Sequence, residues 1–170
     1  IGGLAGGAGS SSITNCYAMG NVSGSDYIGG LVGGGGSLIT NCYTSGNVTG
    51  LGNEIGGLVG RSRSVTISNC YATTNVKGYS FVGGLIGSGD PSIITNCYAS
   101  GNVTGLGNEI GGLVGYCGIA NYGKQAVISN CFATGNVTGQ GYGIGGLVGD
   151  SASSTISNCY AAGSVSGASS

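Results

Sequence analysis

A chain of 170 residues has room for one ordinary domain, yet this one carries 41 glycines, a single proline and only 5% charged residues, against about 25% charged in typical domains. Four basic and five acidic residues leave a net charge of −1, which excludes nucleic-acid binding by counterion release and electrostatic docking on an anionic membrane. The absence of histidine removes the commonest general base, the Ser-His and Cys-His nucleophile pairs and most zinc sites.

Disordered chains are rich in charge and proline and poor in β-branched residues; here Val and Ile recur at regular intervals. No apolar run approaches the ~18 residues of a transmembrane helix. The chain opens on Ile1-Gly2-Gly3-Leu4 without the basic head and apolar segment of a signal peptide. Gly-Gly-Leu then returns with Leu31, Leu58, Leu85, Leu113 and Leu147, at spacings of 27, 27, 27, 28 and 34. Between these anchors lies I-[ST]-N-C-[YF]-A-x-G-N-V-x-G, centred on cysteines 16, 42, 70, 97, 131 and 159. The fifteen residues GNVTGLGNEIGGLVG at 46–60 recur unchanged at 101–115, two units on.

Glycine every few residues rules out helix, since each costs about 1 kcal/mol there. In the first unit, alternation along Cys16–Val22 sends Cys16, Ala18, Gly20 and Val22 to one face and Tyr17, Met19 and Asn21 to the other. Two or three such short strands per unit, each ended by a turn, predict one coil of a parallel β-solenoid. The whole chain, 1–170, reads as a single all-β domain of six coils of about 27 residues, approximately 1–27, 28–54, 55–81, 82–109, 110–143 and 144–170. Stacking at about 4.8 Å per coil turns repeated residues into ladders. Asn15, Asn41, Asn69, Asn96, Asn130 and Asn158 are expected to form an amide ladder. Tyr17, Tyr43, Tyr71, Tyr98, Phe132 and Tyr160 form an aromatic stripe, and Cys16, Cys42, Cys70, Cys97, Cys131 and Cys159 a thiol ladder.

The repeated G-G-L-V-G followed by N-C-Y-A-x-G-x-V resembles the GLUG motif over essentially the whole chain. That resemblance implies an adhesin-like protein of a bacterial or archaeal surface, or a non-catalytic region of peptidases that cleave immunoglobulin A. No His-Glu-x-x-His is present to carry protease chemistry.

The remaining acids, Asp26, Glu54, Glu109, Asp90 and Asp150, read as solvated turn residues, and no catalytic, cofactor or metal site is predicted. Aligned thiols in a linear ladder cannot converge on one metal ion. They read as reduced, space-filling groups, with disulfides as the alternative. The segment 116–127 is an insertion: 15 residues separate its Leu from the next Ile before Asn-Cys, where other coils place 8 or 9. Its Tyr116, Cys117, Tyr122 and Lys124 form a candidate contact loop, with Cys117 expected to be the most accessible thiol; a tolerated bulge is the alternative. Asn-Val-[ST] at Asn21, Asn47, Asn102 and Asn136 gives four possible N-glycosylation sites on the outer face. IGGL at the start and SVSG at the end both match the repeat, so the ends are expected to continue into further repeats or to stack on another copy. The expectation for function is a structural, non-enzymatic rod outside the cell or on its surface, either a self-assembling filament or the stalk of an adhesin. A glycan- or ice-binding solenoid is the alternative.

Overall fold

The computed structural model describes residues 1–36, 38–90, 92–118 and 125–167. The first coil contains five short strands, β1 (Ala5–Gly7), β2 (Ser12–Thr14), β3 (Tyr17–Met19), β4 (Val22–Gly24) and β5 (Ile28–Gly29). Each heads a parallel sheet that runs along the axis through the later coils. The β1 sheet continues through Val32–Gly34, Val59–Arg63, Ile86–Asp90, Val114–Cys117 and Val148–Ser151, one strand from each coil. Four sheets have six strands and the β5 sheet has five. The protein is therefore an all-β parallel solenoid of about six turns. No helix of the described residues is long and apolar enough to cross a membrane.

Five strands per coil replace the expected two or three, because each coil has more corners than its polar residues announce. One corner is the repeated Asn. Asn15, Asn41, Asn69, Asn96, Asn130 and Asn158 all adopt φ between 52° and 54°, the left-handed region that Asn tolerates best after Gly. Another is the Gly-Gly bend. A Cβ on Gly29 would collide with the carbonyl of Val32, and one on Gly30 with the carbonyl of Gly57 in the next coil. Only glycine lets the backbones approach this closely.

Two corridors of core run along the axis. The larger contains the ladders Leu31-Leu58-Leu85-Leu113, Ile39-Ile67-Ile94-Ile128 and Cys42-Cys70-Cys97-Cys131, all buried. The smaller is built from Val48, Val76, Val103 and Val137 packed with Ile28, Ile55, Val82 and Ile110. Register is strict: Ile67 pairs with Ile39 on one side and Ile94 on the other. A one-residue slip would turn this whole column outward. Thr44 stands where other coils have Ala, and its buried hydroxyl donates to the Gly57 carbonyl at 2.8 Å. A polar group enters the interior there with its partner already in place.

Candidate functional site

The aromatic stripe is continuous. From Tyr17 through Tyr43, Tyr71, Tyr98 and Phe132 to Tyr160, successive ring centroids lie 4.9–5.1 Å apart and the planes within 9°. Coil spacing dictates this distance, which suits offset stacking. The inner rings are half-buried, and the pKa of Tyr98 is raised by burial and by neighbouring Tyr71.

The Asn corner carries an amide ladder of four rungs rather than six. The side-chain amide of Asn41 donates to Asn15 at 3.1 Å, Asn69 to Asn41 at 3.3 Å and Asn96 to Asn69 at 3.2 Å. Asn130 and Asn158 keep the corner conformation without such a rung among the described residues. Their identity therefore follows from the backbone corner first and the ladder second.

The sequon asparagines form a second ladder that the sequence reading missed. Asn47 donates its side-chain amide to Asn21 at 3.0 Å, and Asn75 donates to Asn47 at 3.3 Å. The Asn102 backbone N–H donates to the Asn75 side chain, and the Asn136 N–H to that of Asn102, each at 3.0 Å. Asn75, outside any sequon, is a rung as well, so stacking by itself favours asparagine in this column. All of these residues are exposed. The outer Ser/Thr column beside them is interrupted by Lys77, in register between Thr49 and Thr104.

The seven cysteines are free. In three corners the sulfur of the next coil accepts the otherwise unmatched N–H: Cys42 N–H to Cys70 Sγ at 3.3 Å, Cys70 to Cys97 at 3.4 Å and Cys97 to Cys131 at 3.4 Å. Each thiol in turn donates to a carbonyl two residues back, as Cys70 does to Ser68 at 3.2 Å. Cysteine here combines an apolar volume with a weak acceptor and donor. The contact between Cys97 and Cys131 splits their acidities, lifting Cys97 and lowering Cys131 to about 7. Burial keeps both out of reach of solvent.

The contact loop is corrected in part. Tyr116 and Cys117 belong to the strand Val114–Cys117, and Tyr122 and Lys124 lie outside the described residues. Cys117 is fully buried, its pKa pushed up to about 12 by burial and by Asp90. The least buried thiols are those of the end coils, Cys16 and Cys159. Alternation in the strand explains the error: residue 116 faces out, so residue 117 faces in.

The acids too are not uniformly solvated. Immediately before each β5-type strand, Tyr27, Glu54, Phe81, Glu109 and Gly143 form a second left-handed column, with φ of 53°, 62°, 55°, 61° and 66°. Three of these side chains contact the outward column of the β1 sheet. Glu54 pairs with Arg61 at 3.5 Å, the Arg61 guanidinium lies 5.5 Å over the Tyr27 ring, and Phe81 meets Tyr116 edge-on at 5.8 Å. Burial raises the pKa of Glu54, opposed by Arg61. Burial, then the charge of Asp150, raises that of Glu109, which is 8% exposed. One cavity of about 410 Å³ opens on this face, lined by Gly9, Tyr27, Gly34, Gly35, Arg61, Ser62 and Arg63. The signal that could have found it was Arg61-Ser62-Arg63, half the chain's cations within three residues.

Stacked coils, in-register ladders and half-buried outer columns define a repeat solenoid. A family profile, the GLUG motif, matches residues 1–23, 78–104 and 140–166, so the solenoid carries GLUG repeats. The matched segments lie in the first, fourth and last coils; the intervening coils share their register and corners. No curated protein and no solved structure matches the chain.

Proposed function

We propose that the protein is a structural, non-enzymatic module of the cell exterior, a rod whose end coils pair with another coil of the same kind. That coil comes from a second copy, making a filament, or from flanking repeats, making the stalk of an adhesin. The observation that supports the reading is the match between the two end faces. Ile1, Leu4 and Tyr17 on one, and Ile156, Tyr160 and Val165 on the other, are about half exposed, whereas the Leu and Ile of the inner core ladders are at 0%. Setting the last coil on the first would place Ile156 over Ile13, Tyr160 over Tyr17 and Val165 over Val22, continuing ladders already present. Backbone edge pairing would supply the remaining contacts.

Electron microscopy of the protein isolated from its natural source tests the two forms. Thin fibres with an axial repeat of about 29 Å, six rises of ~4.8 Å, are expected for the filament. Recovery only as part of a longer polypeptide selects the stalk. Discrete 16.2 kDa monomers at high concentration would reject both.

A further inference from the structure

We propose that the cavity beside Arg61 is a binding site for an acidic sugar residue, of the hexuronate class, in a polysaccharide. The inference does not rest on the filament reading. The cavity exists because of where side chains are missing. Arg61 is in register with Gly34 of the second coil, and Gly34 with Gly7 of the first. The same outward position carries Ser88, Tyr116 and Asp150 farther along. A glycine floor formed by Gly9, Gly34 and Gly35 lets a flat ring lie directly against the backbone. The volume is that of a small-ligand pocket.

The walls carry charge, with the Arg61 guanidinium matched by Glu54 and Arg63 in register with Asp90 of the next coil. Arg61 and Arg63 both line the cavity, two residues apart on one strand and thus on one face. Arg61 is held from two sides, by the Glu54 carboxylate at 3.5 Å and by the Tyr27 ring at 5.5 Å, so its fork is oriented before any ligand arrives. Arg63 is exposed at the mouth. Arginine forks match carboxylates in bidentate geometry. Ser62, between the two arginines, also lines the cavity, with its side chain buried on the inward face of the strand. Tyr27 also holds a strained backbone, φ 53°, at a position where Gly143 serves in a later coil. The conformation is that of the whole turn column, Glu54, Phe81 and Glu109 included, and it fixes where the Tyr27 ring stands beside Arg61. The glycine floor, the arginine stems and one tyrosine ring offer an apolar surface, and the guanidinium groups a charged rim. A ligand that joins a flat ring face to a carboxylate fits both, and a sugar acid is of that kind.

The test is isothermal titration calorimetry of the whole chain with trigalacturonate, with neutral galactotriose and with sodium acetate at matched carboxylate concentration. Saturable binding of trigalacturonate alone is expected. Arg63→Ala should weaken it about tenfold or more, the scale of one charge-assisted hydrogen bond. Gly34→Leu should abolish it by raising a side chain from the floor against which the ring lies. A Cβ at Gly34 meets only the Arg61 carbonyl oxygen at 3.8 Å, so that variant keeps the fold, checked by an unchanged denaturation midpoint. No saturable binding of trigalacturonate, undiminished binding in Gly34→Leu, or equal affinity for galactotriose or acetate would each overturn the proposal.

Discussion

Two columns of this solenoid ask the same thing of the backbone and answer it differently. The corner at Asn69 and the turn at Phe81 both hold φ near 55°. The first is Asn in all six coils; the second is Tyr, Glu, Phe, Glu and Gly in five. At the Asn corner the side chain stabilises the bend itself, and three side-chain hydrogen bonds link the rungs of four coils. At the turn no single side chain suits the next coil, so identities diverge and the column reaches across to its outward neighbours instead. A conformational demand alone does not dictate a residue. What sets the Asn corner apart is a side chain that suits its own bend, with or without a rung, as Asn130 and Asn158 show.

Both columns lean on a shared core, and removing it should have the largest effect. Ile67→Ala, at a fully buried position flanked by two isoleucines, is expected to destabilise by about 2–5 kcal/mol, read from urea denaturation. Next comes the corner. Asn69→Ala should cost about 1–2 kcal/mol for the left-handed backbone, with Asn69→Gly distinctly milder. If the glycine variant is as damaging as the alanine one, the ladder and not the bend accounts for the residue.

The turn should be far more tolerant. Phe81→Gly relieves about 1–2 kcal/mol of left-handed strain but loses the edge contact with Tyr116, about 0.5–1.5 kcal/mol. The net should lie within about 1 kcal/mol of zero. A large loss would show that this column is as constrained as the Asn corner.

Glu109 sharpens the comparison through pH. Its folded pKa is raised above the ordinary 4.5 by burial, so between those values the folded chain holds more protons than the unfolded one. Stability should therefore fall as pH rises through 4.5 toward the raised value and stay lower above it. Glu109→Gln should flatten that slope and gain stability at pH 7; a stability profile identical to that of the unmodified protein would refute the assignment. The smallest perturbation is chemical. Brief alkylation followed by peptide mass mapping should label Cys16 and Cys159 first, and early labelling of Cys117 would contradict its burial.

Much of this was legible in one dimension. The Gly-Gly-Leu spacing announced coils, and the Tyr17-to-Tyr160 series announced a stacked stripe that the structure contains in full. Period-two alternation put Cys16 and Val22 on one face, and their counterparts Cys42 and Val48 are buried. The second amide column was half visible: four of its members were noticed as sequons, but Asn75 lacks the following hydroxyl residue and dropped out of that pattern. Cys117 was misplaced because an irregular segment suggested a loop where the strand in fact continues to residue 117.

The sequence by itself determined the repeat, the solenoid class and the outer stripe, since each follows from a period repeated many times. Tertiary structure alone decided which corners are left-handed, which carboxylates lose their water and where a cavity opens. Those depend on what stacking brings near, the Arg61 guanidinium to the Tyr27 ring or the charge of Asp150 to Glu109, whose positions are 34 and 41 residues apart in sequence. Only the register of stacking brings such pairs together.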